Sequence, residues 1–314
     1  MTRVGVVGAT GAVGTVTLDL LAARGFESVR AFASARSTGK TVRFGDGELV
    51  VEEATSGSLG SGELDLCFFS VGTEASRELV PPTAAAGTVC IDKSDAYRLA
   101  EGVPLVVAGV NDGALDHDEI VANPNCSAIQ LACVLKPLDE AAGLAGVRLS
   151  TYQSMSGAGD AGIERLRATQ PAEADLAMDW ELEGEEFSEE SKLRAETRKI
   201  LSLPELPLQA NCIRVPVLVG HAQAIWVEIA EPLSPEEARE ILAAAPHIAL
   251  ADFATPKEAA GRDEVLVGRI RADTTNAGGT GLALWTVNDN LRKGAALNAV
   301  QIAEALLDRQ LIRA

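Results

Sequence analysis

The 314-residue sequence is poor in cysteine, histidine and positive charge, and it contains no long hydrophobic run. Its five cysteines (Cys67, Cys90, Cys126, Cys133 and Cys212) are odd in number and scattered, without a CxxC pair. Its three histidines (His117, His221 and His247) stand far apart. That spacing argues against a zinc site and a disulfide framework, so no metal is expected and a reducing cytoplasm is the natural setting. No stretch approaches the roughly eighteen consecutive apolar residues of a membrane helix. Met1-Thr2-Arg3 leads directly into an apolar strand pattern, so neither a membrane span nor a cleavable signal peptide is expected. With 27 Lys and Arg against 45 Asp and Glu, the net charge is -18. Such a surface repels phosphate backbones and anionic membranes, which makes nucleic acid and membrane poor partners. An anionic small substrate would need local arginines or lysines against that field. What is present, 47% hydrophobic and 23% charged residues, is globular composition of a length suited to one large domain or two ordinary ones.

Residues 3–9 (RVGVVGA) form a short apolar run that ends in glycines, and the apolar residues between Ala12 and Ala23 suit a mostly buried helix. Ser28 to Ser34, Leu64 to Val71, Thr88 to Asp92, Leu105 to Val107 and Ile120 to Ala122 read as further strands. Short apolar strands alternating with helical patterns indicate βαβ units and a parallel sheet. The reading is a doubly wound α/β domain over residues 1–124. Beyond it, helices are expected over Ser127 to Leu138 and Glu189 to Leu201. Strands are expected over Val147 to Gln153, Asn211 to Val219, Ala222 to Ala230, Val265 to Arg271 and Leu282 to Val287. This is an α+β domain with a mixed sheet over residues 125–292. Residues 171–190 hold nine acidic residues with little apolar periodicity, which suggests a solvated loop or an exposed helix. Asn298 to Arg313 reads as a helix expected to pack back onto the first domain, so residues 293–314 are assigned there.

Three stretches carry chemistry. Gly8-Ala9-Thr10-Gly11-Ala12-Val13-Gly14 follows a strand and opens a helix, the setting in which glycines admit a pyrophosphate to a helix N-terminus. A tight strand-to-helix turn without a ligand would use the same glycines. At the end of the second strand, Ser34-Ala35-Arg36-Ser37-Thr38-Gly39-Lys40 has no carboxylate to hold the ribose hydroxyls of NAD. Its hydroxyls and cations suit a 2′-phosphate and favour NADP, although a solvated basic loop has the same composition. Finally, Cys126 in Asn123-Pro124-Asn125-Cys126-Ser127 stands at the start of an apolar helix, where the helix field favours a thiolate. The other four cysteines lie inside apolar runs, where a cysteine is an inert small hydrophobe. From the residues alone, Cys126 is either a nucleophile or a structural cysteine at a helix start.

The stretches GATGAVG, SARSTGK, NPNCS, TYQSMSGAG, RVPVLVGH and DNLRKGAALN occur in the order found in aspartate-β-semialdehyde dehydrogenases, and nearly the whole chain resembles that family. The resemblance implies a Rossmann-like domain plus a catalytic and dimerisation domain, in a homodimer or homotetramer. It implies NADPH-dependent reductive dephosphorylation of L-4-aspartyl phosphate to L-aspartate 4-semialdehyde through a cysteine thioacyl intermediate, in lysine, methionine and threonine biosynthesis. On this likeness Cys126 is the nucleophile, His221 the general acid/base and Gln153 the residue that orients the acyl group. Arg214, in the apolar strand around Ile213 and Val215, resembles the arginine that holds the α-carboxylate, and Arg98 the one that holds phosphate. Glu189 and Lys192 match the family's E-x-x-K substrate pair, and Asn125 and Lys93 are assigned to the substrate with them. Cofactor contacts are assigned to Gly8, Thr10, Gly11, Ala12, Val13, Gly14, Ser34, Arg36, Ser37, Ser70, Ser156, Gly157 and Asn290. Without the likeness, Glu189 and Lys192 would read as a surface ion pair, and His221 as a solvated turn residue.

Two departures from the family pattern stand out. Asp92-Lys93-Ser94-Asp95-Ala96-Tyr97-Arg98 replaces the family's D-N-S-S-A-F-R, so Lys93 and Asp95 alter the phosphate region. Between Gly162 and Glu189 an F-N-V-I-P-like apolar stretch is missing, and the acidic run from Asp179-Trp180 to Glu186 takes its place. These departures keep two alternatives open: the same thioacyl chemistry on another acyl phosphate or semialdehyde in specialised metabolism, and a non-catalytic NADP-binding paralogue. The cofactor argument makes a direct prediction. Arg36→Ala removes one charge-assisted contact to the 2′-phosphate and should lower the NADP-over-NAD ratio of kcat/KM by about tenfold. An unchanged ratio refutes the assignment.

Overall fold

A computed structural model describes residues 1–276, 278 and 280–312. The chain divides into two compact units, Met1–Pro124 with the stretch from Ala295 on, and Asn125–Gly294. The helices are α1 (Ala12–Ala23), α2 (Ser56–Leu59), α3 (Thr73–Ala85), α4 (Cys126–Ala142), α5 (Gly159–Ala168), α6 (Ser188–Leu201), α7 (Pro235–Ala244), α8 (Pro256–Ala259) and α9 (Leu297–Asp308). Among the described residues no helix is long and apolar enough to cross a membrane.

The sheet of the first unit contains β1 (Val4–Val7), β2 (Val29–Ala33), β3 (Thr41–Phe44), β4 (Gly47–Glu53), β5 (Leu66–Phe69), β6 (Val89–Asp92) and β7 (Ile120–Ala122). Its order is β3-β4-β2-β1-β5-β6-β7, and every neighbouring pair is parallel except the β3–β4 hairpin. Alternate residues of each strand face opposite sides. Val4, Val6, Leu66, Phe68, Val89 and Ile91 pack with Leu18 and Leu21 of α1 and Leu297 and Val300 of α9. Val7, Cys67, Phe69 and Cys90 face the other way, onto Leu59, Leu79 and Val80. Helices cover both faces, which is why these strands read as unbroken apolar runs. The chain crosses from one side of the sheet order to the other between β1 and β5, the switch point where open α/β sheets bind ligands.

The second unit carries β8 (Leu144–Gln153), the small hairpin of β9 (Leu182–Glu183) and β10 (Glu186–Phe187), then β11 (Leu208–Arg214), β12 (His221–Ile229), β13 (Ile248–Leu250), β14 (Val265–Ala272) and β15 (Gly281–Asn288). Six of these form a sheet in the order β11-β8-β12-β15-β14-β13. The two outermost pairs are parallel and the three inner ones antiparallel, so the sheet is mixed. The fold is thus a doubly wound α/β unit and a second unit with a mixed sheet.

Several local expectations are corrected. Leu105 to Val107 is not a strand; only Leu105 bridges to Ala122. Side chains take up the backbone groups that a neighbouring strand would have paired: Asn111 bonds Val107 N and Leu105 O, and Asn298 bonds Ala108 N and Val106 O. The strand expected over Asn211 to Val219 ends at Arg214, shortly before Pro216, which has no N–H for a ladder. The acidic stretch 171–190 contains the β9–β10 hairpin and the start of α6, where Glu189 and Glu190 are buried. The helix expected to Arg313 ends at Asp308, and residues 313 and 314 lie outside the described residues.

Candidate active site

In the first unit, the glycine loop runs from β1 into α1. Gly8 and Ala9 donate their amides to Phe32 O, at 2.9 and 3.1 Å. Gly8 has φ +81°, and a Cβ there would lie 2.3 Å from Ser70 O. A Cβ on Gly14 would lie 2.0 Å from Gly8 O. These two glycines are therefore required by the turn itself. Gly11 caps α1 without a side-chain bond, and the first turn, Ala12, Val13 and Gly14 included, has no acidic residue. An uncapped and uncharged helix start suits a ligand's phosphates. Thr10 is exposed on the loop, and Ala35–Ser37 form a 3-10 turn directly after β2 that exposes Ser34 and Arg36. The residues present fit a phosphorylated dinucleotide.

Lys93, expected at the substrate phosphate, is anchored within its own unit. Its Nζ donates to Thr17 Oγ1 and Ser70 Oγ, both at 2.8 Å, and sits 5.5 Å from the Phe68 ring centre. The ammonium is the deep end of a partly exposed residue, and burial pushes it down to about 7. A buried ammonium needs acceptors, and the two hydroxyls turn it into its own unit. Arg98 donates Nη2 to Lys93 O at 2.7 Å and Nε to Asn123 O at 3.2 Å, which ties the segment after β6 to the one after β7.

In the second unit, Cys126 is the first residue of α4. Asn125 caps the helix, its Oδ1 accepting from Ser127 N at 2.8 Å. Cys126 is the one cysteine that is not fully buried; burial pushes the other four thiols up. Two carboxylates of α6 hold the residue before it. Glu196 accepts from Asn125 N at 2.6 Å, while Glu189 Oε1 accepts from Asn125 Nδ2 at 3.0 Å and from Gln153 Nε2 at 2.9 Å. Glu189 therefore orients two site amides, with Lys192 one turn along the same helix. Asn288 escaped the sequence reading, because it is one polar residue at the end of an apolar strand. It is buried, and neither of its amide atoms has a hydrogen-bond partner among the described residues. A Cβ on Gly294 would stand 2.9 Å from Cys126 Cβ and 3.4 Å from Asn288 Nδ2, so the amide and the cysteine border the same point.

The ends of β8 and β11 and the start of β12 meet here, with Gln153 opposite Arg214 and Tyr152 opposite Ala222. His221 Nδ1 accepts from Ser154 N at 3.0 Å, which places the proton of the neutral ring on Nε2. Burial and then the Arg214 charge push His221 down to about 3. Its Nε2 is buried without a partner. Arg214, 4% exposed, donates Nη1 to Ser154 O at 3.0 Å and Nε to Asp179 Oδ1 at 2.9 Å. A Cβ on Gly157 would lie 3.1 Å from both His221 Nε2 and Arg214 Nη1. Gly157 thus lets both side chains approach one point of the backbone that a larger residue would crowd.

Ser156 and Asn290, expected at the cofactor, are buried and hydrogen-bonded into this turn. Asn290 Oδ1 accepts from Gly220 N at 2.8 Å and Ser154 Oγ at 2.9 Å, and its Nδ2 donates to Ser156 Oγ at 3.0 Å. A buried amide with these neighbours is satisfied within the protein. The second unit brings together Cys126, Asn125, Gln153 and Glu189, and, across Gln153-Ser154, also His221, Arg214 and Gly157. Its thiol, imidazole and guanidinium suit acyl transfer to sulfur on a carboxylate-bearing substrate.

The state of His221 can be tested through stability. Its pKa in the fold lies below the ordinary value near 6.5, so as pH falls the unfolded chain takes up the proton first. The stability gained from holding the ring neutral is whole above about 6.5 and is lost progressively towards about 3. His221→Gln has no such proton, and its unfolding free energy should fall less steeply over that window in denaturant titrations. Equal pH dependence in both proteins would show that the ring is not held neutral.

The sequence matches the family model "Semialdehyde dehydrogenase, NAD binding domain" over residues 3–117 and "Semialdehyde dehydrogenase, dimerisation domain" over residues 135–293. The chain is 42% identical to the aspartate-semialdehyde dehydrogenase of Corynebacterium glutamicum over 343 positions, covering 98% of this chain and all of that one. It is 44% identical to that of Streptomyces akiyoshiensis over 96% of this chain and 97% of the other. The 343-position alignment is longer than this chain, so the Corynebacterium protein has residues that this chain lacks. Among solved structures, aspartate semialdehyde dehydrogenase II of Vibrio cholerae complexed with ASA superposes with a TM-score of 0.91 at 37% identity, over 98% of each chain. The Candida albicans enzyme with NADP gives 0.80 at 25% identity, over 99% of this chain and all of that one. With both halves of the chain matched, and curated relatives above 40% identity over nearly its full length, the protein belongs to the aspartate-semialdehyde dehydrogenase family.

Proposed function

We propose that this protein reduces L-4-aspartyl phosphate to L-aspartate 4-semialdehyde with NADPH, through a thioester on Cys126, as a step of lysine, methionine and threonine biosynthesis. The observation that carries the reading is the convergence of two side chains beside Gly157. A neutral imidazole with its proton on Nε2 and a terminal nitrogen of Arg214 meet there, in the unit that holds the one accessible cysteine. Cys126 attacks the acyl carbon as the thiolate; the C–S bond forms, the C–O bond to phosphate breaks and phosphate leaves. Gln153, fixed by Glu189, orients the acyl group. A bound nicotinamide dinucleotide supplies the hydride that reduces the thioester. His221 Nε2–H protonates the oxyanion that develops, and the thiohemiacetal then returns its hydroxyl proton to His221 Nε2 as the C–S bond breaks, leaving the aldehyde and the Cys126 thiolate.

Arg214 holds the substrate's carboxylate, and Glu189 and Lys192, on α6 of the same unit, complete the substrate contacts. The cofactor is NADP: Arg36 stands exposed after β2, no carboxylate occupies its turn, and a relative of the same fold carries NADP. The dimerisation-domain match supports a homodimer. The chemistry is tested in reverse, with L-aspartate semialdehyde and NADP⁺, by following the reduced cofactor. Turnover should require phosphate and vanish in Cys126→Ser, with NADP binding intact. Phosphate-independent turnover, or an active Cys126→Ser, rejects the reading.

A further inference from the structure

The acidic segment that replaces an apolar stretch of the family is mostly exposed, but its first residues touch Arg214. Ala177 and Arg214 exchange backbone hydrogen bonds at 2.8 and 2.9 Å, an isolated antiparallel bridge. The bridge delivers the next residues onto the arginine side chain. Asp179 Oδ1 accepts from Arg214 Nε at 2.9 Å, and its Oδ2 lies 3.6 Å from Arg165 Nη1. The Trp180 ring centre stands 4.7 Å from Arg214 Cζ, over the face of the guanidinium.

A guanidinium offers a carboxylate two forks, one of Nε with the adjoining terminal nitrogen and one of both terminal nitrogens. Asp179 Oδ1 takes the Nε edge, and Ser154 O accepts one hydrogen of Nη1. The other Nη1 hydrogen and those of Nη2 form the terminal edge, and Nη1 converges with His221 Nε2 beside Gly157. A carboxylate bound on the Nε side would sit displaced by about the width of the guanidinium, and its aldehyde carbon would be displaced with it.

We propose that Asp179 is a positioning residue that determines specificity: by occupying the Nε edge of Arg214 it assigns the substrate carboxylate to the terminal edge and so sets the distance from carboxylate to reacting carbon. The proposal rests on Arg214 as the carboxylate holder. Asp179 then selects among ω-oxo acids by length, with Trp180 keeping the guanidinium plane in place.

The test compares two substrates in the oxidative direction: L-aspartate semialdehyde, and 5-oxopentanoate, whose carboxylate lies one methylene further from its aldehyde. Asp179→Ala frees the second fork. It should raise KM for L-aspartate semialdehyde about tenfold with a smaller effect on kcat, and raise the relative kcat/KM for 5-oxopentanoate by a similar factor. Asp179→Asn keeps the acceptor on Nε and should retain the wild-type preference. A lower KM with unchanged preference in Asp179→Ala would mean that Asp179 only competes with substrate, and would overturn the proposal; so would wild-type values for both substrates. If Asp179→Ala fails to bind NADP, Asp179→Glu takes its place. The longer side chain shifts the guanidinium and must raise KM, and a wild-type KM overturns the proposal. Arg214→Leu in the same assay separates the two layers, since an unchanged KM there rejects the carboxylate reading itself, whatever Asp179 does.

Discussion

The candidate site depends on buried carboxylates at work on α6. An ionised carboxylate away from water costs several kcal/mol unless hydrogen bonds replace its hydration. Glu189, Glu190 and Glu196 are all buried, and each accepts bonds that fix a piece of the site. Glu189 joins Asn125 to Gln153, and Glu196 takes the Asn125 amide. Glu190 binds the amides of Phe187 and Cys212, closing the start of its own helix against β11. Glu189 and Glu190 also lie in the first turn of α6, where the helix field favours negative charge. The result is a rigid cap for the helix that opens with Cys126, and a glutamine aimed by the same carboxylate.

The second constraint is desolvation around His221. A buried histidine with a guanidinium nearby stays neutral, and the Ser154 amide chooses which nitrogen carries the proton. Asn290 holds the turn that sets this geometry from below, through Gly220 and Ser154. Gly157 lets the imidazole and Arg214 converge. In a protein of net charge -18, the buried Arg214 is a local positive group in a global field unfavourable to anions.

Much of this was legible in the sequence, for physical reasons. Strands such as Val4–Val7 and Leu66–Phe69 are apolar on both faces because helices cover both, and a cysteine between Asn125 and Ser127 before an apolar run marks a helix start. Helix α3 was hidden by Pro81 and Pro82, residues that ordinarily end a helix. The stretch Leu105 to Val107 looked like a strand because its partners, Asn111 and above all Asn298, are side chains that periodicity cannot see. The hydroxyls that hold Lys93, on Thr17 and Ser70, are distant in sequence and so invisible to a local reading. In an acidic run, nothing local distinguishes Asp179 from its neighbours; the Ala177–Arg214 bridge does so in three dimensions.

The central claim is that carbon–sulfur bond formation occurs at Cys126, and trapping the intermediate tests it most directly. Mixing the protein with L-aspartate semialdehyde and NADP⁺ in the absence of phosphate, then quenching in acid, should leave an aspartyl thioester that peptide mass mapping places on Cys126. It should disappear when phosphate is added before the quench. An adduct on Cys67, Cys90, Cys133 or Cys212, or phosphate-dependent turnover without any thioester, would contradict the account.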